Sequence, residues 1–170
     1  MSDGLLAIYL NDHLAGAVAG AALAGRLAGS NRDREEFGPA LQELAAQVRE
    51  DRDTLSALMR RLGVGIDRAK LVGAWAAEKV GRLKLNGRLR GYSPLSRVEE
   101  LEVMRLGVTG KRTLWKALYV LAEQDLQISA AQLELLIERA ERQLDVIEAC
   151  HTRAVAEAFA PAGGSTVATP

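Results

Sequence analysis

The side chains best suited to chemistry in this 170-residue chain are carboxylates and imidazoles set along apolar periodicities. Glu148 and His151 stand three residues apart in Glu148-Ala149-Cys150-His151, which puts both on one side of a helix. Glu102 precedes Arg105 by one turn, Asp12 adjoins His13, and Asp51 sits in the charged run Glu50-Asp51-Arg52-Asp53. Carboxylates with imidazole suit iron or manganese, so Asp12, Asp51, Glu102, Glu148 and His151 are the candidate ligands of a metal reading. Other chemistries fit less well. Gly107-Val108-Thr109-Gly110-Lys111-Arg112-Thr113 has Arg105 where a phosphate loop needs its first glycine and Arg112 where it needs serine or threonine. Cys150 and His151, as helical neighbours, point about 100° apart, which favours a structural thiol over a nucleophile and base. Two histidines and no serine elbow leave a hydrolase triad without support.

Helices must position these groups. The first is predicted from Asp3, a good cap, to Gly29, followed by a polar turn over residues 30–36. The second opens on Gly38-Pro39, carries Leu41, Leu44, Val48, Leu55, Leu58 and Leu62 at three- and four-residue steps, and stops at Gly63. A shorter third starts near Asp67, bears Leu71, Trp75 and Leu83, and ends about Asn86-Gly87. The fourth is announced by Ser93-Pro94 and the capping box Ser96-x-x-Glu99 and runs to about Gln127, with Gly107 and Gly110 as points of bending or breakage. The fifth opens with Ser129-x-x-Gln132 and cannot pass Pro161. Two long hairpins joined by a crossover that holds the short extra helix predict an all-α, four-helix bundle. Residues 1–160 form its single domain, and 161–170 a flexible tail.

Several stripes carry polar residues inward. Leu5, Ile8, Asp12, Ala15, Ala19 and Ala22 form one, with His13 at its edge. Asp51 or Arg52 falls between Val48 and Leu55, Arg105 shares a face with Val98, Leu101, Val108 and Trp115, and His151 continues Leu144 and Ile147. Counted outward from loop centres at residues 33 and 128, Asp12 is level with Thr54, within a turn of Asp51, and Arg105 is level with His151. The first reading is a buried, metal-free network of Asp12, His13, Asp51, Arg52, Arg105 and His151. In it the Arg105 guanidinium neutralises the carboxylates and fills the space a metal would need. No cofactor is expected on that reading; iron or manganese is the alternative.

This pattern resembles the ferritin-like superfamily, in which two bundle helices each give a carboxylate and the other two each give Glu-x-x-His to a pair of iron or manganese ions. Glu148-Ala149-Cys150-His151 matches the second such motif, Asp12 or His13 stands at the first carboxylate position, and Glu102 at the third-helix position. The other motif reads Glu50-Asp51-Arg52-Asp53, with a carboxylate and no histidine. The segments Leu10-Asn11-Asp12-His13-Leu14-Ala15-Gly16 and Gly81-Arg82-Leu83-Lys84-Leu85-Asn86-Gly87-Arg88-Leu89 also resemble an uncharacterised bacterial family, which implies no activity. The resemblance implies a di-metal carboxylate protein with redox or metal-storage activity. The residues themselves suit a non-catalytic structural or interaction protein, with self-association to a homo-oligomer as one form of it.

Composition bounds both readings. Apolar and charged fractions of 48% and 26% exclude a disordered or fibrous chain, and seven aromatics among abundant Ala and Leu argue against a sheet. One cysteine excludes an intrachain disulfide and suits a reducing cytoplasm. The apolar stretch from Leu5 to Ala28 approaches the roughly 20 residues of a bilayer span. Asn11, Asp12 and His13 interrupt it, and no basic start precedes it, so neither a membrane span nor a secretory signal is expected. The 22 basic and 22 acidic residues are polarised: residues 66–97 carry a net +6, with Lys79, Arg82, Lys84, Arg88 and Arg90 forming a basic crossover. Nucleic acid or an anionic surface is a disfavoured partner for it, since Trp75 and Tyr92 are too few for a stacking platform.

Overall fold

The computed structural model describes residues 3–67, 92–122 and 128–160. Four helices and no strand are found among them, the all-α bundle that the periodicities predict: α1 (Asp3–Ser30), α2 (Gly38–Arg61), α3 (Pro94–Ala122) and α4 (Ala130–Phe159). The predicted short extra helix, the basic residues Lys79, Arg82, Lys84, Arg88 and Arg90, the stretch around Gln127 and the tail 161–170 lie outside the described residues.

Local chemistry sets the helix ends. After α2, Gly63 takes the left-handed conformation (φ 67°), Val64 N–H donates to Met59 O at 2.9 Å and Gly63 N–H to Arg60 O at 3.2 Å, the two bonds of a Schellman cap. Ser129 accepts from Gln132 N–H at 3.3 Å before α4, as its capping box requires. At α3 the cap is one turn earlier than the predicted box: Ser93 Oγ accepts from Ser96 N–H at 3.1 Å, and Pro94 takes the first helical position, where its missing N–H costs nothing. Neither Gly107 nor Gly110 breaks α3, which runs through both.

The helices pack as two antiparallel hairpins, α1 with α2 and α3 with α4; α1 also lies beside α3, and α2 beside α4. At the α1–α2 loop, Arg97 from the start of α3 meets Asn31 and Glu157, the latter near the end of α4. At the other end Leu10, Leu58, Leu118 and Leu133, one from each helix, share an apolar cluster. The α2 C-terminus and the α3 N-terminus are therefore at opposite ends of the bundle. Adjacent helices run antiparallel throughout, and residues 62–93 join the two ends.

The loop end is more buried than its polar sequence suggested. Asn31 is fully buried and donates to Leu27 O at 2.7 Å and to the Tyr92 hydroxyl at 3.0 Å. Its side-chain oxygen accepts from Arg97 Nε at 2.6 Å. Arg97, counted with the basic crossover by sequence, is itself buried, lies 4.4 Å from the Phe37 ring centroid and donates to Glu157 at 2.6 Å. Such a charge persists in a core only when its donors are matched, as here by an amide, a carboxylate and an aromatic face.

Gly38 lets this loop close. A Cβ there would stand 2.7 Å from the Arg32 carbonyl oxygen and 3.1 Å from that of Asn31, both backbone atoms without freedom to yield. Gly38→Ala is expected to cost about 1–3 kcal/mol as overpacking, read as a lower urea midpoint at constant slope. Gly25→Ala, exposed and with nothing within 4 Å among the described residues, is expected to add about 0.5–1 kcal/mol through helix propensity.

Candidate functional site

At mid-height a charged layer interrupts the core. Asp51 on α2 is 2% exposed, as its stripe predicts. One carboxylate oxygen accepts from the Arg139 guanidinium of α4; the other accepts from Lys111 Nζ of α3 and, at 3.2 Å, from the Gln143 amide. Gln143 also accepts from Lys111 and donates to Gln47 at 3.1 Å, while Arg139 reaches Glu50 at 2.6 Å. Above the layer lie Leu55, Leu114 and Leu136, and below it Val48, Val108 and Ile147, members of two separate apolar clusters.

The charges are balanced but strained by dryness. Burial lowers the Lys111 ammonium pKa, Asp51 opposes that shift, and Arg139 adds to it. Burial also works against the Arg139 guanidinium, but the bonds to Glu50 and Asp51 outweigh it and raise its pKa. Arg139 Nε is left buried without a hydrogen-bond partner among the described residues.

The other predicted members of the layer sit elsewhere. Asp12 is exposed, and His13 half-buried with its ring edge-on to Tyr9, centroids 4.5 Å apart. The buried polar residue at that height of α1 is Asn11, which donates to Ala7 O and Gly65 O and accepts from Asp67 N–H at 2.7 Å, tying the chain after α2 to α1. Arg52 is only half-buried and pairs with its neighbour Asp53 at 2.7 Å. Arg105 is 56% exposed and pairs with Glu148; Met104 takes the core position instead. His151 lies 3.2 Å from Glu102 through Nε2 at the outer α3/α4 surface, and the core position beside it belongs to Cys150. Burial pushes that thiol's pKa up, which suits a structural cysteine.

The ligand set implied by the ferritin-like resemblance does not fit this arrangement. Glu148 is held by Arg105, Glu102 by His151, and both oxygens of Asp51 by cations. Among the described residues no three His, Cys, Asp or Glu side chains form a group able to hold a metal ion.

Among the described residues α1 contributes nothing to the charged layer. A cleft of about 980 Å³ runs between α1 and α3, walled by Ala19 and Gly20 on one side and by Val103 and Gly107 on the other, with Asp51 and Lys111 on its floor. Toward its end Arg26 donates to Glu100 at 2.8 Å; among the described residues the second Glu100 oxygen and the fully buried Trp115 Nε1 have no hydrogen-bond partner. Gly4–Ser30 is apolar and long enough to cross a membrane, yet only 22% of its most apolar window is buried.

No known protein family matches this chain, and no curated protein or solved structure matches it significantly.

Asp51→Ala would strand Lys111 and Arg139 in a dry layer and is expected to cost about 3–5 kcal/mol, whereas Arg105→Ala, at an exposed pair, should change stability by less than about 1 kcal/mol. Asp51→Leu with Lys111→Met should recover part of the loss, because Arg139 keeps Glu50; urea titration of the four proteins checks this. His13 supplies a pH test. Burial holds its pKa below the ordinary 6.5 against the charge of Asp12, so folding disfavours the imidazolium. Stability is therefore present above pH 6.5 and lost as pH falls through the lower folded-state value, and His13→Gln should flatten that slope in urea titrations from about pH 5 to 8.

Proposed function

We propose that this chain is a non-catalytic interaction protein: a ferritin-like helical scaffold whose polar core is closed by cation–carboxylate pairing and whose binding surface is the open side of α1. The observation that carries this reading is the state of Asp51. It is the one acidic residue buried at mid-bundle height among the described residues, and its two oxygens are taken by Lys111, Arg139 and Gln143. The scaffold part of the reading is supported by connectivity, since two antiparallel hairpins are joined between opposite ends by residues 62–93. A reducing cytoplasm suits the single buried thiol. A soluble chain, not a spanning one, suits Asn11, whose side chain is committed to the backbone of residues 65 and 67.

The test is elemental analysis of protein purified without chelator, followed by anaerobic Fe(II) and Mn(II) titration. Substoichiometric metal and a melting temperature unmoved by either ion are expected. One or more equivalents bound per chain, and lost in His151→Ala, would replace this reading with a di-iron or manganese carboxylate protein of redox or storage activity.

A further inference from the structure

We draw no further inference here: the strongest candidate, the cleft between α1 and α3 that Trp115 borders above the Asp51 and Lys111 layer, carries none, because nothing in the structure shows what covers it.

Discussion

The charge layer around Asp51 is the constraint on which the rest of the bundle depends. One buried carboxylate is satisfied only when α2, α3 and α4 stand at the heights that bring Lys111, Arg139 and Gln143 to it together. A slip of one helix by a turn, about 5.4 Å, would leave two cations and an anion apart in a dry interior. Apolar packing alone is far more tolerant, because Leu, Val and Ala fill a displaced interface nearly as well. The layer divides the core into two apolar clusters, and its contribution is to register more than to net stability, since desolvating three charges offsets much of their attraction.

α1 is held by other means. Its inward stripe of Leu10, Leu14, Ala21, Ala24 and Leu27 packs on the bundle, and two asparagines pin it near its ends: Asn11 to the chain leaving α2, Asn31 to Tyr92 and Arg97. Among the described residues no charge on α1 takes part in the layer, and α1 is packed by its apolar stripe and its two asparagines instead. The cleft beside α3 follows from this division, with three helices locked in register and the fourth fastened along one edge.

Much of this is legible in the sequence, and the misreadings share one cause. A helical stripe can step by three or by four, and where one choice is apolar and the other polar, the apolar one goes inside. Between Leu101 and Val108 the choices are Met104 and Arg105; between Ile147 and Ala154 they are Cys150 and His151. The structure buries Met104 and Cys150, so Arg105 and His151 face outward. Between Val48 and Leu55 the choices are Asp51 and Arg52, and between Val108 and Trp115 they are Lys111 and Arg112. Both options are charged in each case, so a charge enters whichever step is taken. That rule finds Asp51 and would have found Lys111. On α1 it gives no answer, because Ala, Gly and Leu recur on every side and two stripes fit equally well.

The ambiguity of α1 carries a physical consequence for the whole molecule. A helix with one apolar stripe has one way to pack; a helix with two either leaves one side in water or gains a second partner. The exposed side here includes glycines in a helix interior, each costing about 0.5–1 kcal/mol relative to alanine. The charge layer is likewise no net source of stability. Among the described residues Leu10, Leu14, Leu23 and Leu27 of α1 are buried, while Leu5 and Ile8 are exposed.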